Sequence, residues 1–386
     1  MAYNRKQRLN DNIKAIETAF ILDREQRTPT ARERLLLERY CGFGGLKCIL
    51  NPARELADAV HWAKSDLELF APTVELHRLI RENSKNESEY KQLMDSLKQS
   101  VLTAFYTPSA VTEALTDVLK EHQIIPEKVL EPSAGIGAFV DSVLDNNPKA
   151  DIMAFEKDLL TGKILHHLHL EQKVRIEGFE KIEKPFNDYF DLAISNIPFG
   201  DVAVFDPSYT AMKGMRALVT RRIHNYFFVK ALDTVRDGGL VAFITSQGVL
   251  NAKNNSAARF MMLYHADLVS AIRLPNNLFT ENANTEVGSD LIILQKNTQK
   301  ESLRGDDNLL DTVYNDENRI PTNNYFLEHP ERIIHSTAKL DTDPFGKPAM
   351  IYTHEDGVEG IAEDLRKMLH EDFKKNLNLN RYLGIE

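Results

Sequence analysis

The chain has 386 residues, 42% of them apolar, with 47 Lys/Arg against 57 Asp/Glu and a net charge of −10. At roughly 100–200 residues per domain this length allows two or three domains, and the apolar share excludes disorder as the general state. The acidic balance excludes a general basic coat for nucleic acid but not a local basic patch, and two cysteines, Cys41 and Cys48, exclude a disulfide framework or a cysteine-only zinc site. Met1 to Lys6 lead into no apolar run of the signal-peptide kind, and no stretch approaches the ~18 apolar residues of a membrane span. The expectation is a cytoplasmic, soluble protein without membrane partners.

Residues 1–100 read as a helical N-terminal region. Leu9, Ile13, Ile16 and Phe20 recur at helical spacing. Thr30 with Glu33 forms a capping-box pattern that opens a second helix through Tyr40. The glycines of Cys41-Gly42-Phe43-Gly44-Gly45-Leu46 then break it. From about residue 125 short β-branched runs alternate with helical ones. Strands are expected at 128–131, 152–155, 174–176, 190–195, 240–245, 268–274 and 290–295, and helices at 137–146, 159–170, 222–236 and 256–265. Such alternation predicts a parallel, doubly wound α/β sheet. The last two strands lie close together and predict an antiparallel hairpin at one edge. Residues 301–386 hold 18 acidic and 10 basic residues. They read as a loop-rich acidic C-terminal extension ending in one helix from about Glu359 to Asn376. The expected division is thus 1–100, 101–300 and 301–386.

Four motifs carry chemistry. Leu130 to Phe139 (Glu131-Pro132-Ser133-Ala134-Gly135-Ile136-Gly137 at its centre) follows a strand and opens a helix. Its glycines let backbone approach a ligand, and the helix start offers free N–H groups. Glu156 stands at the end of the next strand, where an acid accepts both hydroxyls of a ribose. Ser195-Asn196-Ile197-Pro198-Phe199-Gly200 follows a later strand. An amino group conjugated with an aromatic ring is a poor nucleophile, because its lone pair is delocalised. Acceptors from the Asn196 side chain and the Ile197 carbonyl would turn that lone pair outward, Pro198 would stiffen the loop, and Phe199 would stack on the base. Ala104-Phe105-Tyr106-Thr107-Pro108 precedes the first strand and is a weak signal alone.

In this order the four motifs resemble S-adenosylmethionine-dependent N6-adenine DNA methyltransferases of the gamma arrangement. The resemblance runs over about 100–300 and includes Arg273-Leu274-Pro275 and Leu278-Phe279. Residues 1–50 more loosely resemble methylase modules of phage and mobile-element proteins. The resemblance implies a Rossmann-like seven-stranded methyltransferase sheet with S-adenosylmethionine as cofactor. Tyr106, Thr107 and Pro108 would line its methionine end; Glu131, Pro132, Gly135, Gly137 and Phe139 would form its loop. Glu156 would take the ribose, and Phe179 and Glu180 would sit at the cofactor's adenine. Asn196 to Phe199 would hold the target base.

This sequence departs from the family pattern twice. Ile197 stands where a first proline is common, which predicts a less rigid loop. Gly178 stands where an Asp is commoner, leaving Glu180 as the substitute acid. Lys213, Arg216, Arg221, Arg222 and Lys230, with no acid between Pro207 and Leu232, read as a phosphate-gripping flank. No metal site is expected; His166, His167 and His169 share one helix without a metal-ligand spacing.

The expected function is transfer of a methyl group to the N6 amino group of adenine in DNA, as in restriction-modification. Methylation of a protein glutamine, and a non-catalytic DNA- or partner-binding module of a defence or anti-restriction system, stand as alternatives. With only an acidic segment after residue 300, sequence recognition falls to the helical N-terminus, to a target-recognition partner subunit, or to a larger methylase-helicase system.

Overall fold

The computed structural model describes every residue except 1–3, 104–105, 213, 281–285, 304–306, 315–318, 344–345 and 386. Lys213 and the Ala104-Phe105 start of the aromatic motif therefore lie outside the described residues. One sheet holds seven strands: β1 (Lys128–Glu131), β2 (Asp151–Phe155), β3 (Lys173–Arg175), β4 (Phe190–Asn196), β5 (Val235–Ser246), β6 (Ala266–Leu274) and β7 (Ser289–Lys296). Their order is β3-β2-β1-β4-β5-β7-β6. Neighbours are parallel except at β7, which runs antiparallel to both β5 and β6. The antiparallel edge pair expected from sequence is present, with β6 outermost. After the link over residues 275–288, β7 doubles back into the gap beside β5. This is the Rossmann-like methyltransferase sheet.

Helices cover both faces. On one face α5 (Ser109–Glu121), α6 (Ala138–Asn146) and α10 (Gly357–Asn376) bury Leu115, Val143, Leu365 and Phe373 against Val129, Leu192 and Ile244. On the other, α8 (Ile223–Thr234) and α9 (Ser256–His265) set Phe228 and Met262 against Phe190 and Phe243. The N-terminal helices α1 (Arg5–Glu25), α2 (Ala31–Leu37), α3 (Phe70–Glu82) and α4 (Glu87–Thr103) share a third core with α7 (Leu159–Leu168). The predicted apolar stripe of α1 is buried there, and the Thr30–Glu33 capping box forms. The second helix stops at Leu37 rather than Tyr40, and α8 stops at Thr234, where Val235 opens a β5 longer than the predicted strand.

The acidic C-terminal segment is part of the folded body. Leu365, Leu369 and Phe373 of α10 are buried, in the same core as α5 and the sheet. Across that contact Arg366 pairs with Asp117 at 3.0 Å, and His370 Nε2 lies 2.7 Å from Glu121. No helix among the described residues is long and apolar enough to cross a membrane.

Candidate active site

The strand order reverses between β1 and β4, and loops leaving neighbouring parallel strands at such a point flank a crevice. The loop after β1 is the glycine motif. Gly135 and Gly137 have φ of +55° and +94°, a region that side chains other than glycine's rarely adopt. Space forbids a side chain as well: a Cβ on Gly135 would stand 2.8 Å from the Tyr106 ring, and one on Gly137 2.5 Å from His169 Nε2. Burial pushes His169 down to about 4 and keeps it neutral.

Glu156 and the loop are joined directly. Its Oε2 accepts the Gly135 N–H at 2.8 Å, and its Oε1 accepts the Asp158 N–H at 2.7 Å. Glu131 is fully buried, with Oε1 accepting the Ser133 N–H at 3.2 Å. Burial pushes both acids up to about 8, helped in Glu156 by the charge of Asp158. Thr107 is buried, and its hydroxyl has no partner among the described residues; Pro108 is half-buried just before α5. Pro132 and Phe139 are buried, Phe139 in the core of that sheet face.

At the next position along the rim, a Cβ on Gly178 would meet the Glu180 carboxylate at 2.2 Å. The Glu180 carboxylate thus lies where a side chain at 178 would begin. Phe179 is core, edge-on to Phe155 with ring centroids 5.8 Å apart.

The loop after β4 carries Asn196 to Phe199. It stands beside the glycine loop because Val129 pairs with Leu192 and Leu130 with Ala193; Ser195 Oγ lies 3.5 Å from the Ser133 carbonyl. The expected loss of rigidity at Ile197 is offset. Its N–H donates to the Ile244 carbonyl at 3.0 Å, a bond proline could not make, and its side chain is buried in the core of that face. Asn196 and Pro198 are half-buried. Phe199 is half-buried, edge-on to Phe279 with centroids 6.4 Å apart.

The basic flank differs from its sequence reading. Arg216 forms a two-pronged pair with Asp233 at 2.6 and 3.0 Å. Lys230 is buried beside Asp206 at 3.2 Å. Arg222 bonds Asp201 at 2.8 Å and the Asn255 side chain at 2.5 Å. Arg221 is exposed. Acids just outside residues 207–232, and Asn255 farther along the chain, satisfy these cations.

Sequence reasoning missed the braces behind the glycine loop and β2. Thr161 Oγ1 lies 3.2 Å from the Tyr40 hydroxyl and 3.4 Å from that of Tyr106. Ser96 donates to Asp158 at 2.6 Å and accepts the Leu160 N–H at 3.0 Å. The one local signal was Asp158 with Thr161 three residues on, an N-cap spacing realised at 2.7 Å. His167 pairs with Asp23 at 2.7 Å, tying α7 to α1.

The strand order β3-β2-β1-β4-β5-β7-β6 is that of the Rossmann-like methyltransferase fold. A model of the N-6 DNA Methylase family matches residues 88–350, and the chain belongs to that family. It is 28% identical over 201 residues to the defense against restriction protein B of Escherichia phage P1, covering 50% of this chain and 8% of the phage protein. It is 25% identical over 174 residues to the type II methyltransferase M.XamI of Xanthomonas campestris pv. amaranthicola, covering 42% of this chain and 33% of that one. A Listeria monocytogenes structure described as a class I S-adenosylmethionine-dependent methyltransferase superposes with a TM-score of 0.45 at 15% identity, covering 78% of this chain and 91% of that one. The chain thus spans a third or less of the length of these two curated relatives.

Proposed function

We propose that the chain transfers a methyl group from S-adenosylmethionine to the N6 amino group of adenine in DNA. The observation that carries this reading is the adjacency of the Gly135–Glu156 loop and the Asn196–Phe199 loop across the reversal point of the sheet. The residues fit the cofactor: both loop glycines are barred from carrying side chains, Glu156 and Glu180 stand at successive rim positions, and the Thr107 hydroxyl is buried without a partner among the described residues. Glu131 and Thr107 would hold the methionine end, Glu156 the ribose, and Glu180 with Phe179 the adenine side. When bound, the cofactor supplies an electrophilic methyl on a sulfonium centre.

The chain's own part is alignment. The Asn196 side-chain oxygen and the Ile197 carbonyl accept the two amino hydrogens of an extruded adenine and turn its lone pair toward the methyl group. Phe199 stacks on the base, held against Phe279. The Ile197–Ile244 bond keeps the acceptor loop in place without the usual proline. After transfer the amino nitrogen releases one proton to solvent, so no covalent enzyme adduct is required.

Incubation with tritiated S-adenosylmethionine and separate DNA, RNA and protein pools tests this. Label in DNA recovered as N6-methyladenine is the expected result; label in protein or RNA alone overturns it. The likeness to the phage protein supports a second reading, a module of an anti-restriction system that binds DNA without methylating it. Cofactor binding without transfer to any pool would favour that reading. In either case sequence recognition is proposed to come from a partner subunit or from further parts of a longer protein.

A further inference from the structure

Among the described residues, three buried polar atoms without a hydrogen-bond partner crowd the β5–β7 side of the rim: Thr245 Oγ1, Gln247 Nε2 and Ser289 Oγ. Thr245 projects to the opposite sheet face from Ser289, and a buried polar group left unpaired is costly, so Gln247 and Ser289 on the rim call for an explanation. Thr245 and Ser289 are fully buried.

Strand register places them relative to the acceptor loop. Asn196 pairs with Ile244 of β5, Ile244 with Leu291 of β7, and Ser246 with Ser289. Alternation along the strands puts the Asn196 and Ser289 side chains on the face where Ile194, Ile244 and Leu291 share one core. Gln247 follows β5 directly, and its N–H donates to the Gly288 carbonyl at 3.2 Å. A Cβ on Gly288 would stand 2.4 Å from the Gln247 carboxamide carbon and 2.6 Å from its Nε2. The carboxamide is therefore laid across a residue that has no side chain to displace it, next to Ser289.

We infer that Gln247 is a specificity residue for the target base, its Nε2 donating to the ring nitrogen next to the amino group held by Asn196. This rests on the methyl-transfer reading above. Adenine offers on that edge a ring nitrogen with a free lone pair beside its amino group. An acceptor at Asn196 and a donor at Gln247, one strand over, complement this pair. Guanine and thymine carry an N–H at the corresponding ring position and meet the donor with another donor. Cytosine offers the same acceptor beside its amino group, so the Gln247 amide, unpaired among the described residues, gains its partner from a base carrying that pair and not from guanine or thymine.

The test uses random-sequence single-stranded oligonucleotide pools in which adenine is either natural or replaced throughout by 1-deazaadenine, whose ring nitrogen is a C–H. Label transfer is measured for the wild type, Gln247→Ala and the near-isosteric Gln247→Glu, with cofactor affinity as the check on folding. The wild type should favour the adenine pool in kcat/KM by on the order of 10-fold or more, the worth of one hydrogen bond to a site built for it. Gln247→Ala should lose that preference through a fall on the adenine pool alone, and Gln247→Glu should fall further on it. Equal discrimination by the wild type and either variant overturns the inference and leaves methyl transfer intact. No transfer by the wild type to the adenine pool removes both.

Discussion

The two halves of the crevice are built differently. On the proposed cofactor half, around β1 to β3, most loop groups are tied to one another, the buried Thr107 hydroxyl and His169 Nε2 being without partners among the described residues. Glu156 takes two loop N–H groups, Thr161 contacts Tyr40 and Tyr106, and Ser96 closes on Asp158. On the target half, around β5 to β7, three buried polar atoms lack partners among the described residues, while the neighbouring cations are spent on internal acids. A half that binds one invariant small molecule can be preorganised by the chain itself. On the proposed function, a half that accepts a base out of DNA would complete its bonding only when that base arrives.

Both halves share one support, α10, which packs on α5 and on β6. Phe373→Ala should therefore destabilise the whole domain by about 3–5 kcal/mol, the usual cost of emptying a buried aromatic site, and a single cooperative loss in denaturant unfolding would show it. Two separate transitions would mean that the halves fold independently. Deleting residues 340–386 to remove acidic charge would remove this core contact as well.

Asn196→Ala divides the halves more sharply. Transfer should fall by about 2.7–4 kcal/mol in activation free energy, as for loss of one aligned hydrogen-bonding group. Cofactor affinity by calorimetry should stay within a few-fold. A comparable loss of cofactor affinity would place Asn196 on the other half.

The pH dependence belongs to the cofactor half. Glu131 and Glu156 are raised to about 8 by burial. A carboxyl raised above its unfolded value of 4.5 stabilises the fold below that value and loses this contribution as pH rises through about 8. The cationic cofactor prefers the ionised acids, so its affinity runs the other way. The thermal shift produced by S-adenosylmethionine should grow between pH 6 and pH 8.5, and Glu156→Gln should flatten that growth. An increment equal at both pH values would take these acids out of the cofactor site.

The smallest effect concerns the flank of the target half. Arg221 is exposed, whereas Arg216 and Arg222 are held by Asp233 and by Asp201 with Asn255. Arg221→Ala should lower the slope of log DNA affinity against log salt by about 0.9, one phosphate contact. Arg216→Ala should cost stability and leave the slope alone. The reverse pattern would mean that the Arg216–Asp233 pair opens on DNA.

By itself the sequence determined the strands, the helices between them and the two chemical loops. These depend on residues within a few positions of one another: β-branched runs, Gly135 and Gly137 with positive φ, Asn196 at a strand end. The resemblance of four motifs in order was enough to anticipate the sheet and the family. Only the tertiary structure decided the rest. Arg222 meets Asn255 33 residues on, Gly288 makes room for Gln247, and α10 closes on α5 across most of the chain. Ile197 gained its bond from β5, and the Glu180 carboxylate lies where a side chain at 178 would begin. Charge pairing, burial and shared space depend on distance through the fold, and no spacing along the chain encodes that distance.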